Sequence, residues 1–125
     1  MDEMRKVFEQ LESVYRKHPE YKKEAYHFVM VALHYTLNKL KEHRHLTGQE
    51  LSHGIRDYAL EQFGSLAKTV FEYWGISETF DFGKIVYYMI DEGLMSKTEE
   101  DSINDFKDVY TFEDAFHQTI DYDIS

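Results

Sequence analysis

Hydrophobic residues recur at three- and four-residue steps near the start of the chain, which is the period of amphipathic helices. These positions are Met4, Val7, Phe8, Leu11, Val14 and Tyr15. The spacing predicts a helix over 3–17. Proline is tolerated in the first turn of a helix but not in its interior, so Pro19 predicts a break and then a second helix to about Glu42. Because Ala25, Phe28, Val29 and Ala32 share one broad face, we expect this second helix to form the centre of the core.

Capping signals divide the middle of the chain into further helices. Thr47 is a good N-cap residue, and Glu50 three positions later completes a capping-box pattern. Helix three is therefore expected to begin there and to run to Phe63. Gly64 suits the position just after a helix, and Ser65 can cap a fourth helix.

The same signals predict the ends of two later helices. Asp81 can cap a fifth helix, and Gly93 followed by Leu94 is typical of a Schellman ending. Thr111 with Asp114 predicts another cap, which opens a short last helix through Phe116.

The helical period fails after Leu94, and 94–98 and 106–110 could pair as a short β-hairpin. The predicted fold class is therefore mainly α, at most α+β, with five to six helices and a small C-terminal β-hairpin. Helix three, helix four, helix five and a hairpin follow the element order of a winged-helix unit. The second half is accordingly expected to be winged-helix-like, although element order does not imply function.

A chain of 125 residues is expected to form one domain with one core. Within 1–125 we expect an N-terminal helical pair at 1–45, a helical unit with the hairpin at 46–116, and an acidic tail at 117–125.

Charge and cysteine content exclude several classes of protein. The formal net charge is −10, and 98–125 hold nine acidic residues and one lysine. This balance argues against nucleic-acid binding, which depends on Lys and Arg neutralising phosphates. The absence of cysteine excludes disulfides and fits a reducing compartment, so cytoplasm is expected. No window approaches the roughly 18 apolar residues of a membrane span, so no membrane partner is expected.

Short blocks across residues 20–116 carry a resemblance to a known family. They are Ala25-Tyr26, Phe28-Val29, His45-Leu46-Thr47-Gly48-Gln49-Glu50-Leu51, Gly54-Ile55-Arg56-Asp57-Tyr58-Ala59, Phe63-Gly64, Trp74-Gly75-Ile76, Asp81-Phe82-Gly83, Ile85-Val86, Asp101-Ser102, Asp105-Phe106 and Val109-Tyr110. In these blocks the chain resembles a family of short uncharacterised bacterial proteins to which no activity is assigned. The resemblance implies a shared fold and transfers no function.

Metal and catalytic patterns do not gather on one face. Glu24 with His27 and Glu50 with His53 match the Glu-x-x-His motif of di-iron bundles, but at about 100° per residue both pairs point away from the apolar faces. An alternative metal site would use His43, His45 and His53, but Arg44 lies between the first two of these histidines. A cation beside a metal is unfavourable without an anion. No metal and no cofactor are therefore predicted.

The best candidate site is a polar stripe along helix three. Gln49, His53 and Arg56 step by four and three residues, and His45 precedes the helix start, where free amide groups favour an anion. An anionic ligand or an acidic partner segment could bind there, although ion pairs within the protein would give the same pattern. Because no nucleophile and base are correctly spaced, no catalytic residue is predicted.

The sequence thus predicts a non-catalytic cytoplasmic protein-interaction or regulatory module, with a protein partner or a homodimer. One alternative is a small-molecule or metal-binding enzyme centred on His45, His53 and Arg56. Another is a winged-helix nucleic-acid binder, although its recognition helix would carry Asp81, Asp91 and Glu92 beside a single lysine.

Overall fold

A computed structural model describes residues 2–42 and 44–116 of the chain, and the predicted acidic tail at 117–125 lies outside them. The described residues form six α-helices and two short 3₁₀ turns. The α-helices are α1 (Asp2–Lys17), α2 (Lys23–Asn38), α3 (Gly48–Phe63), α4 (Ala67–Tyr73), α5 (Thr79–Asp91) and α6 (Phe112–Phe116). The 3₁₀ turns are Gly64–Leu66 and Ile103–Phe106.

Helix α2 lies at the centre of the fold, where it packs against α1, α3 and α5. Its buried face carries Ala25, Phe28, Val29 and Ala32, as the sequence predicted. Gly54 allows α3 to approach α2 closely, because a Cβ atom there would lie 1.9 Å from Thr36 Oγ1. The missing side chain therefore sets the spacing of the two helices.

The predicted bounds of the second helix are wrong at both ends, since α2 begins at Lys23 and ends at Asn38. Before it, the Tyr21 side chain is buried, and its hydroxyl donates a 2.5 Å hydrogen bond to Asp81 Oδ1. The Lys22 amide donates to the carbonyl of Trp74 at 3.1 Å. These distant partners hold the segment after Pro19 outside the helix.

Three predicted helix ends are confirmed. Thr47 and Glu50 form a reciprocal capping box at the start of α3. Gly93 has a φ of 82°, and the amide of Leu94 donates to the carbonyl of Met89 at 2.9 Å, which is the Schellman arrangement. The hydroxyl of Thr111 accepts from the Asp114 amide at 3.2 Å, so the last helix is capped as expected.

Two predicted caps are wrong. Ser65 lies inside a 3₁₀ turn, and α4 begins at Ala67 without a side-chain cap. Asp81 lies inside α5, whose N-cap is Glu78, and its carboxylate accepts from the amides of Ser77 and Glu78 at 2.9 and 3.2 Å. The carboxylate therefore stabilises the helix start from the third helical position rather than from the cap.

The predicted β-hairpin is wrong, because residues 2–42 and 44–116 contain no strand. The segment instead forms a 3₁₀ turn capped by Ser102 and Asp105. Phe106 packs between α3 and α5, where a Cβ atom on Gly48 or on Gly83 would lie 2.9 Å from its atoms. Burying this ring between two glycines fixes the segment without strand pairing. The described chain therefore has no wing, and the winged-helix expectation fails with the hairpin.

Aromatic rings fill one part of the interior. Phe71 is fully buried. Its ring centroid lies within 6.1 Å of those of Phe28, Trp74, Phe82, Phe112 and Phe116. We call these six residues the aromatic cluster. It joins α2, α4, α5 and α6 through ring packing.

In the parts of the chain that the structure describes, each helix is either too short or too polar to cross a lipid bilayer.

Candidate functional site

A cavity of about 430 Å³ opens between α2, the start of α3, α5 and the segment that follows α5. Cavities of roughly 300–1,000 Å³ are typical of small-molecule sites. Most of its lining is apolar, with side chains from every surrounding element. The apolar residues are Val7, Met30, Leu33, Leu37, Leu46, Leu51, Val86, Ile90, Leu94, Met95 and Phe106. We call this space the aliphatic pocket.

One side of the aliphatic pocket is closed by a contact between two distant segments. His45 Nε2 lies 2.6 Å from Asp101 Oδ2, and the same oxygen accepts from the Thr98 amide at 2.7 Å. Burial raises the pKa of the Asp101 carboxyl, but hydrogen bonds from Thr98 and His45 outweigh it and leave the pKa below its usual range. The carboxylate therefore ties the loop before α3 to the loop after α5.

A second ion pair lies next to this contact. Arg44 donates two hydrogen bonds to the carboxylate of Glu50, at 2.9 and 2.7 Å. The Arg44 hydrogen bonds, helped by the Thr47 amide, lower the pKa of Glu50 to about 2. Arg44 also lines the pocket, so the α3 capping box holds a residue of the pocket rim in place.

The remaining polar groups at the rim do not assemble a catalytic triad. Ser96, Lys97 and Ser102 line the pocket. The Ser102 hydroxyl accepts from the Asn104 amide at 3.1 Å as a cap, and no described serine or threonine hydroxyl lies within hydrogen-bond distance of His45. His45 and Asp101 therefore have the base and its orienting carboxylate but no adjacent nucleophile.

Tyr87 contributes its ring to the pocket lining. Its hydroxyl is buried and has no hydrogen-bond partner among the described residues. Burial raises its pKa, with smaller contributions from Asp101 and Asp105, so the phenol stays neutral. The hydroxyl oxygen has almost no accessible surface, so the cavity meets the ring.

The four residues predicted as a site on helix three divide into separate groups. His45 lies at the aliphatic pocket, whereas Gln49, His53 and Arg56 do not line it. Arg56 pairs with Asp57 at 2.9 Å, and its Nη1 lies 3.3 Å from His53 Nδ1. Gln49 is exposed.

The His53 and Arg56 group is completed by an aromatic ring. Both side chains pack on the ring of Tyr110, with centroid distances of 5.8 and 5.9 Å. The Tyr110 hydroxyl donates to the Ser52 carbonyl at 2.6 Å. This contact joins α3 to the segment before α6.

The fold does not bring the residues of the metal-binding patterns together. Within 2–42 and 44–116, no three His, Asp or Glu side chains converge as metal ligands. Glu24, His27 and His53 are exposed, and Glu50 pairs with Arg44. His43, the other member of the alternative metal site, lies outside the described residues.

Most residues of the aliphatic pocket were not predicted as site residues from the sequence. Met30, Leu33 and Leu37 lie beside the main buried face of α2 and were not selected as candidate site residues. One signal in the sequence could have indicated them. Helix α2 carries apolar residues on both flanks of Val29, so its apolar surface is too wide to be covered by a single neighbouring helix.

Neither a comparison with protein-family models nor searches of curated proteins and solved structures found a match for this chain. The resemblance to short bacterial proteins therefore stays a prediction. The aliphatic pocket is the feature of this chain that bears on its function.

Proposed function

We propose that the protein is a non-catalytic binding module that holds a small, largely apolar molecule in the aliphatic pocket. The observation that carries this proposal is an open space of about 430 Å³ inside a small domain. Concave, mostly apolar pockets of this size with a few polar groups are typical of small-molecule binding sites. An apolar ligand would gain by leaving water for this lining.

The rim supports binding rather than chemistry. His45 and Asp101 hydrogen-bond to each other at 2.6 Å, and Arg44 is engaged by Glu50. The His45–Asp101 pair has the arrangement of a base and its orienting carboxylate, but because no nucleophile lies beside it, these side chains define the shape of an opening instead. Lys97 forms no ion pair with any described residue, so it is free to meet a polar group of the ligand at the mouth.

The wider setting of the proposal is a regulatory module in the cytoplasm. The absence of cysteine supports a reducing compartment. Because the pocket walls come from segments far apart in sequence, a bound ligand would stabilise their arrangement, and a protein partner could respond to it. The net charge of −10 disfavours nucleic acid as that partner.

The proposal is tested with the neutral fluorescent dye N-phenyl-1-naphthylamine, whose emission rises and shifts to the blue in apolar sites. The dye has about 17 non-hydrogen atoms, and at about 0.3 kcal/mol per atom it would bind with about 5 kcal/mol. This corresponds to a Kd on the order of 100 µM. We expect saturable binding with one dye per chain.

A pair of tryptophan variants distinguishes the pocket from general surface binding. Leu37 lines the pocket, so Leu37→Trp should occupy part of the space and weaken binding at least about tenfold, which is about 1.4 kcal/mol. Leu66→Trp is the matched control, because Leu66 is 60% exposed and lies outside the pocket. Equal binding by the two variants, or no saturable binding by wild type, would contradict the proposal.

A further inference from the structure

The outer face of α1 leaves two large apolar side chains in water. Met4 is 65% exposed and Phe8 is 61% exposed, and they lie one turn apart on the same face. Together with Arg5, Glu9, Glu12 and Arg16 they line a shallow depression that runs along the helix. We call this surface the α1 face. It lies outside the aliphatic pocket, whose only contribution from α1 is Val7.

The charges on the α1 face are arranged so that two copies of it are complementary. Suppose that two α1 helices cross antiparallel at Phe8. Arg5 lies three residues before Phe8, so it faces position 11 of the other copy, which is between Glu9 and Glu12. The two-fold axis repeats the contact, so Arg5 of each copy meets two carboxylates of the other copy, and the two Phe8 rings meet at the centre. A parallel crossing at Phe8 would instead place the two charged flanks on opposite sides of the contact, where they do not meet.

Three of these charges have no ion-pair partner in the described part of their own chain, namely Arg5, Glu9 and Arg16. Glu12 pairs with Lys23 at 2.5 Å but keeps 47% of its side-chain surface exposed, so it can accept a second cation. Covering Met4 and Phe8 supplies the apolar part of the contact. Aromatic residues near the centre of a small interface commonly contribute most of its binding energy.

We infer that the α1 face binds a second copy of this chain, forming a two-fold symmetric homodimer with antiparallel α1 helices. One helix from each copy makes a small interface, so the dimer is in exchange with monomer and its population depends on concentration. The dimer leaves the aliphatic pocket open, so the inference stands whether or not the pocket binds a ligand.

Sedimentation equilibrium over a wide range of protein concentrations tests this inference. Wild type should show a monomer–dimer equilibrium, and Phe8→Asp should stay monomeric throughout. Arg5→Glu should weaken association at least about tenfold, because the new glutamate faces Glu9 and Glu12 of the other copy. Lys6→Glu is the matched control, since it makes the same charge change at an exposed neighbour outside the α1 face. It should leave the dimer unchanged.

A charge-swap mixture tests the antiparallel geometry. A Glu9→Arg/Glu12→Arg variant should self-associate poorly, yet a mixture of it with Arg5→Glu should form a heterodimer, because every facing pair then has opposite charges. Circular dichroism checks that each variant is folded. A wild-type chain that stays monomeric at all concentrations would overturn the inference and leave the α1 face to another partner. Equal effects of Arg5→Glu and Lys6→Glu, or a mixture that does not associate, would also overturn it.

Discussion

The aromatic cluster and the aliphatic pocket share helices α2 and α5 but are filled differently. Phe28 of α2 and Phe82 of α5 pack in the cluster, with ring centroids within 6 Å of Phe71. Leu33 of α2 and Val86 of α5 face the pocket, where about 430 Å³ is left open. The contrast shows that the open space is not a general looseness of the fold. One part of the interior provides stability, which leaves the other part available for binding.

The largest effect should follow from breaking the aromatic cluster. Phe71→Ala removes a fully buried ring that contacts five others, and we expect a loss of about 3–5 kcal/mol in the free energy of unfolding. Leu37→Ala, in the half-buried lining of the pocket, should cost about 1 kcal/mol, because no packed neighbour fills the space beside it. Urea denaturation measures both. Similar losses for the two variants would mean that the two regions do not differ.

The next effect concerns the wall that separates the pocket from the rest of the core. In Gly83→Ala the new Cβ atom would lie 2.9–3.0 Å from Phe106, and the ring would have to move. We expect a cost of about 1–3 kcal/mol, with weaker dye binding because Phe106 lines the pocket. In a Phe106→Ala background the two ring contacts at 3.0 Å are gone and the Cβ contact at 2.9 Å remains, so the cost of Gly83→Ala should be smaller but not zero. An unchanged cost would assign the effect to the Cβ contact or to the helix itself rather than to the ring.

A smaller effect of opposite sign is expected at Tyr87. Its buried hydroxyl has no partner among the described residues, and an unsatisfied buried hydroxyl is costly. Tyr87→Phe should therefore raise the free energy of unfolding by about 1 kcal/mol while leaving dye binding intact, because the ring that lines the pocket remains. Tyr88→Phe is the control, since its hydroxyl donates to Glu20 at 2.8 Å and its removal should not stabilise. A destabilised Tyr87→Phe would mean that the hydroxyl has a partner.

The smallest effect is expected at the exposed Arg44–Glu50 pair, where Arg44→Ala should lower the free energy of unfolding only slightly near neutral pH, because solvent screens the pair. The folded pKa of Glu50 is lowered to about 2 from 4.5, so the pair stabilises the fold above about pH 4.5 and loses this effect as the pH falls toward 2. The difference between wild type and Arg44→Ala should therefore shrink over that range. NMR titration of Glu50 should show its pKa raised in the variant, and an unchanged pKa would contradict the assigned cause.

Local signals predicted the helices well and predicted the segment after α5 poorly. The capping box at Thr47 and the Schellman ending at Gly93 depend on residues within six positions of each other, so the sequence contains the whole interaction. The segment 94–110 also has local caps, at Thr98 with Asp101 and at Ser102 with Asp105, but its packing depends on distant residues. Phe106 is fixed by Gly48 and Gly83, and the Thr79 hydroxyl donates to its carbonyl at 2.7 Å. Strand pairing was predicted there because these contacts are invisible in the sequence.

The candidate site was predicted only in part, for the same reason. His45 was selected for its place before α3, and it does lie at the pocket. Its partner Asp101 is 56 residues away and was not selected. Gln49, His53 and Arg56 share a helical flank with each other, but the pocket opens on a different side of α3.

The sequence by itself determined that the described chain is mainly helical, where several helices end, and that the protein is acidic and lacks cysteine. Each of these depends on composition or on residues within a few positions of one another. The tertiary structure alone decided where α2 begins, how Phe106 packs between two glycines and that an open pocket remains beside α2. These features depend on side chains from distant segments meeting in space, since a cavity is the volume that several elements together fail to fill.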